Sequence, residues 1–184
     1  GNNRYTRALY GSETLYRLET SDRPLFATYD KKNNRNIWFY IIHKGVKTRL
    51  DSTSWCEARY RGGVRSYKLK NENWNGGEID FVAIASQSSE AAMFDIKAIN
   101  FNSDISVVIN CCKTKRKGMH REGDLGMEPR ESYEPMPGAS VEDKTILIKR
   151  NIGKACFVVE NAGKILCDAG KGEASMAFTR EKKA

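Results

Sequence analysis

No apolar run in these 184 residues approaches the roughly 20 that a helix needs to cross a bilayer. No stretch has the build of a signal peptide, although Gly1 stands where an initiator Met is missing, so a removed leader and export both stay open. Histidine is scarce at two residues, and cysteine reaches only five. Cys56, Cys111, Cys112, Cys156 and Cys167 are odd in number and share no repeated spacing, which is not how a disulfide framework reads. Cys111 and Cys112 are neighbours at the end of an apolar strand, so their side chains face opposite ways and cannot act as joint ligands. With His43 and His120 as the only histidines, no zinc pattern of usable spacing exists. The thiols read as small buried hydrophobes, and neither a metal nor a cofactor is expected. Nor is there a glycine loop that would cradle a nucleotide phosphate, since Gly170-Lys171-Gly172 lacks the strand and the Lys-Ser/Thr context. Amphipathic helices, internal repeats and low-complexity tracts are all missing.

What is present is an ordinary globular composition, 40% apolar and 29% charged, with a formal charge of +8. Lys113, Lys115, Arg116, Lys117 and Arg121 form the sharpest basic cluster, and Lys31, Lys32 and Arg35 a smaller one. Charge of this kind collects in turns for solubility alone. Without an aromatic RNA-binding strand motif, a zinc finger or a helix-turn-helix pattern, it does not make nucleic acid the expected partner.

Short strand patterns fill most of the chain. Residues 13–20 mix apolar and charged positions until Arg23-Pro24 interrupts them, and 25–29 follow as a strand. The run 37–42 is apolar at both parities, which marks a central strand covered on both faces or an interface. It places Trp38 and Tyr40 on one side and Ile37, Phe39 and Ile41 on the other. His43-Lys44-Gly45 turns the chain into 46–51. Segments 54–61 and 64–70 flank Gly62-Gly63 and read as a hairpin, with Trp55, Glu57, Arg59 and Arg61 on one face of the first. Further strands are expected at 78–85, 92–101, 105–112, 145–149, 155–160, 164–168 and 174–179. Asn102-Ser103-Asp104 suggests that 92–101 and 105–112 pair. Asn161-Ala162-Gly163 is expected to turn 155–160 back into 164–168, and the type of that turn decides whether Cys156 and Cys167 share a face. About a dozen such strands predict an all-β fold, an antiparallel sandwich of meander-like order with one long loop, as a single domain over residues 1–184.

That loop spans 113–143, 31 residues with three prolines and four glycines. Loops of this length inside a domain are usually functional or mobile. Among its acids it offers Glu122, Asp124, Glu128, Glu131 and Glu134 as candidates for a pair. Glycoside hydrolysis needs two carboxylates about 5–5.5 Å apart for retention, or about 6.5–9.5 Å for inversion. Loop spacing fixes no such distance, and nothing beside these acids supplies the apolar pocket that makes a general acid. They read as solvated or salt-bridged, and no catalytic residue is assigned.

The opening Asn3-Arg4-Tyr5-Thr6-Arg7-Ala8-Leu9-Tyr10-Gly11 reads neither as a strand nor as a turn cluster. It resembles the N-terminal signature of the DUF4450-type family of glycoside hydrolase-like proteins, found mostly in glycan-degrading Gram-negative bacteria. The similarity continues through Leu18-Glu19-Thr20-Ser21-Asp22, Glu57-Ala58-Arg59-Tyr60-Arg61 and Glu122-Gly123-Asp124-Leu125-Gly126-Met127-Glu128-Pro129. The resemblance implies a β-supersandwich packed on an (α/α) toroid that carries the catalytic acids, in a periplasmic or secreted protein. It also implies carbohydrate biology without standalone hydrolysis, because the chain stops at Ala184, where the toroid would begin. Residues 30–36 depart from the family by replacing a glycine-rich turn with DKKNNRN.

Sugar contact by a sandwich calls for an aromatic face with planar hydrogen-bonding groups beside it. Trp74, on a polar turn with Glu72, Asn73 and Asn75, is the first candidate. Trp55 with Arg59 comes next, then Tyr133, Asp124 and Glu128 in the loop. Burial is the competing reading, with Trp38 and Trp55 as core and Trp74 as a turn anchor. Arg4 and Arg7 are candidates to brace Asp124 or Glu128 through their forked guanidinium groups. The expected function is that of a non-catalytic sandwich domain that contacts a glycan or supports the toroid. The alternative is a module that forms a homo-oligomer, with nucleic-acid binding behind both.

Overall fold

A computed structural model describes residues 5–11, 13–14, 16–29, 35–113, 139–142, 145–150, 153–158, 164–168 and 173–178. Within them the chain is all β and antiparallel throughout. Its strands in order are β1 (Tyr5–Tyr10), β2 (Arg17–Ser21), β3 (Leu25–Tyr29), β4 (Arg35–His43), β5 (Val46–Arg49), β6 (Trp55–Arg61), β7 (Val64–Lys70) and β8 (Glu78–Ala85). They continue as β9 (Ala92–Ile99), β10 (Ile105–Lys113), β11 (Ala139–Glu142), β12 (Thr145–Arg150), β13 (Gly153–Val158), β14 (Lys164–Asp168) and β15 (Glu173–Phe178). Two single-turn 3-10 helices, Leu50–Ser52 and Glu72–Trp74, accompany them among the described residues.

The apolar run at 37–42 lies within β4, in the interior of an eight-stranded sheet ordered β1-β2-β3-β4-β10-β15-β14, whose eighth strand, β5, also pairs with β4. One edge of β4 pairs along its length with β10, and the other is divided between β3 and β5. Alternation does the rest. Ile37, Phe39 and Ile41 face the main core, while Trp38 and Tyr40 pack with Leu25 and Ala27 on the reverse side. A four-stranded sheet, β6-β7-β8-β9, covers the core-facing side. Its hairpin turn is Gly62-Gly63 as expected, with φ of 56° and 79°, the pair of positive values that a two-residue turn needs to match strand twist. Between the layers, Phe26 stacks on Phe81 at 5.3 Å, and Phe39 meets Phe81 edge-on at 4.9 Å. A third sheet joins β11, β12 and β13.

Four expectations are corrected. Residues 5–10 form a strand paired to β2; Arg7 is their one charged residue, and Ala8, the buried Leu9 and Tyr10 follow it consecutively, so no apolar–polar alternation marks the strand. Strands β9 and β10 do not pair, because β9 closes the small sheet on β8 and β10 enters the large one between β4 and β15. The signal was their patterning: β9 alternates, whereas β10 is apolar at both parities and suits a doubly covered position. Strands β13 and β14 also lie in different sheets, so a turn type no longer governs the placement of Cys156 and Cys167. Finally, 113–143 is not all loop. Lys113 ends β10, and Ala139–Glu142 is a strand paired to β12.

Candidate functional site

The corner that links β2 to β3 is where the two layers are bolted together. Arg23-Pro24 ends β2 and turns its last carbonyls toward the small sheet. Arg65, 5% exposed on the inner face of β7, donates through Nη2 to Ser21 O at 3.0 Å and to Asp22 Oδ1 at 2.9 Å. Two residues on, Tyr67 donates to the same Ser21 O at 2.7 Å. Arg65 also donates from Nε to Tyr67 Oη at 3.3 Å. Arg23 points the other way and donates to Thr53 O at 2.7 Å, fastening the corner to the segment before β6. Cys56 adds a weak S–H contact to Asp22 O at 3.6 Å. Burial pushes its thiol up, against the opposing pull of Arg23 and Arg65, so it stays protonated and is a poor nucleophile.

Burial also pushes the Tyr67 phenol well up, against the charge and hydrogen bond of Arg65. A folded-state value above the ordinary one near 10 means that the stability Tyr67 supplies is complete below about pH 10 and is lost as pH rises beyond it. Tyr67→Phe is therefore expected to cost about 1 kcal/mol at neutral pH and to flatten the alkaline fall in stability. Urea midpoints taken from pH 8 to 11 check this, and an unchanged alkaline slope contradicts it.

The other prominent surface is the outward face of the small sheet. Strand pairing sets four rows across β6, β7, β8 and β9. They are Trp55, Lys70, Glu78 and Ile99; Glu57, Lys68, Asp80 and Lys97; Arg59, Ser66, Val82 and Asp95; and Arg61, Val64, Ile84 and Met93. None of these side chains is buried. Lys70 pairs with Glu78 at 2.7 Å, and its ammonium lies 5.7 Å from the centre of the Trp55 ring. Arg59 donates to Glu57 at 2.5 Å.

Trp55 and Arg59 thus share an open face, with Trp55 42% exposed rather than in the core. Trp74 is corrected in the opposite sense: it is fully buried and is not a surface contact. Its 3-10 turn closes through Trp74 N to Asn71 O at 3.0 Å, and the next turn through Gly77 N to Trp74 O at 2.9 Å, with Asn75 and Gly76 at positive φ. The polar residues stay outside while the ring swings in to meet Phe101 at 5.7 Å. Beside it, buried His43 bridges Asn73 O, 3.2 Å from Nδ1, and Asn102 Oδ1, 3.3 Å from Nε2. Arg7 is exposed and stands over the Tyr60 ring at 5.8 Å. Tyr133, Asp124, Glu128 and Arg4 lie outside the described residues. Among the described residues no three metal-ligating side chains come together, and no helix is long and apolar enough to cross a membrane.

No family model, curated protein or solved structure matches the chain.

Two groups of functional interest escaped sequence reasoning. The first is the Arg65–Tyr67 clamp, concealed because Arg65 sits at an inward position of a strand whose alternation is otherwise polar-out. The second is a polar layer on the reverse side of the large sheet. There Arg17 and Glu19 are buried and paired at 3.2 Å, and Asn36 and Asn110 flank the buried Trp38. Arg17 and Glu19 are two residues apart on one strand, a spacing that could have pointed to a same-face pair.

Proposed function

We propose that the chain, acting as one domain over 1–184, is a non-catalytic β-sandwich domain of a glycoside hydrolase-like protein. On this reading it gives rigid support to an (α/α) toroid that handles the sugar. The observation that favours support is the clamp at Ser21–Asp22, where a buried guanidinium and a buried phenol converge on one carbonyl between the sheets. A satisfied buried network of this kind rigidifies one arrangement of the layers. The family resemblance supplies the carbohydrate context, and with it a periplasmic or extracellular setting. Assays of the purified chain for reducing-sugar release are expected to show none. Release that Asp124→Asn or Glu128→Gln abolishes contradicts the proposal.

A second reading, direct glycan contact, is favoured by the exposed Trp55 on the same face as Arg59. Lys70 already lies near that ring, so a sugar must stack beside the ammonium or displace it. Glycan-array hits that disappear in Trp55→Ala support contact. Hits that survive the substitution exclude Trp55 as the platform.

A further inference from the structure

We propose that the outward face of β6–β9 is a docking surface for a second copy of the same face, which makes the protein a homodimer. The inference stands apart from the support reading and rests on the order of charges across the sheet. Along β6, β7, β8 and β9, the second row runs Glu57, Lys68, Asp80, Lys97. Its signs alternate, so the row read from the opposite edge is its own complement. A two-fold axis along the strands between β7 and β8 lays β6 over β9 of the second copy and β7 over its β8. Glu57 then meets Lys97 of the second copy, and Lys68 meets Asp80.

The other rows obey the same operation. Lys70 falls opposite Glu78 and Arg59 opposite Asp95, while Trp55 meets Ile99 and Val64 meets Ile84. Like charges meet nowhere. Such a surface is isologous, the kind that closes a two-fold dimer, and two twisted sheets pack face to face with their strands within about 30°. Within one copy the alternation also provides cross-strand ion pairs such as Lys70–Glu78, so a feature that stabilises the sheet makes its face self-complementary.

Size limits the strength. Four strands about 4.8 Å apart and seven residues of about 3.4 Å rise give a face of about 19 by 24 Å. That is about 460 Å² per partner, below the roughly 600–1,000 Å² of a standard interface and in the class of weak, transient contacts. A dissociation constant on the order of 10 μM is expected, weakening by about fivefold or more between about 0.05 and 0.5 M NaCl.

Sedimentation velocity of the chain with Lys68→Glu and Asp80→Lys provides the test. Wild type is expected to dimerise, and each single variant to remain monomeric because it sets like charges opposite one another. An equimolar mixture of the two variants is expected to dimerise again, because each supplies the sign the other needs. Arg59→Glu with Asp95→Arg repeats the design at exposed positions and replaces the first pair if either of its variants loses its fold by circular dichroism. A wild type that stays monomeric at about 200 μM in low salt, tens of times the expected dissociation constant, overturns the proposal. So does a mixture of folded variants that fails to associate, or a single variant that dimerises like wild type.

Discussion

Trp74→Ala is expected to destabilise the fold by about 3–5 kcal/mol, the range for removing a large buried aromatic. The ring is fully buried and closes the end of the core where the turn before β8 meets Phe101 and His43. Its surroundings are held by the turn hydrogen bonds and by Gly77, where an added Cβ would come within 2.9 Å of the Phe101 ring, so little room exists for relaxation. Trp74→Phe should be far milder, at about 1 kcal/mol. The indole Nε1 is buried without an acceptor, and the smaller ring removes that unpaired donor while keeping aromatic contact. Urea unfolding followed by circular dichroism separates the two variants. Equal losses would show that the site needs the full size of the indole and that a phenyl ring cannot fill it.

Arg65→Met is expected to cost about 2–3 kcal/mol, because a buried guanidinium leaves three acceptors at once. The ionic share of that loss is small. The Asp22 side chain is 74% exposed, so a double-mutant cycle between Arg65 and Asp22 should give less than about 1 kcal/mol of coupling. Most of the effect comes from Ser21 O and Tyr67 Oη, which are buried at the sheet junction. Arg65→Lys should recover only part of it, since an ammonium cannot reach both acceptors with the geometry of a fork. A Lys variant as stable as wild type would show that charge alone is what the corner requires.

The elements visible in the sequence were those in which one physical signal dominated. The doubly apolar run at 37–42 announced the central strand, and Gly62-Gly63 announced a hairpin because both residues need positive φ. Alternation in 54–61 put Trp55 and Arg59 on one face, where they are found. Long-range choices were hidden. Whether Asn102-Ser103-Asp104 closes a hairpin or carries the chain between layers depends on which sheet has a vacant neighbour, and local spacing does not record this. Trp74 misled for a related reason, since a turn has no periodicity to say which way a side chain points, and polar neighbours suggested solvent. The Arg65 clamp is the reverse case, a charge at a core-facing position whose acceptors lie 43 and 44 residues away in sequence.

On the proposed reading, the small sheet and the large sheet act as one rigid support, locked at the β2–β3 corner. Native-state hydrogen exchange on the amides of β7 and β8, compared with those of β4, tests this most directly. A single opening free energy is expected for all three strands, equal to that of global unfolding, with a parallel fall for all three in Arg65→Met. Strands β7 and β8 opening at distinctly lower free energy while β4 stays protected would contradict it.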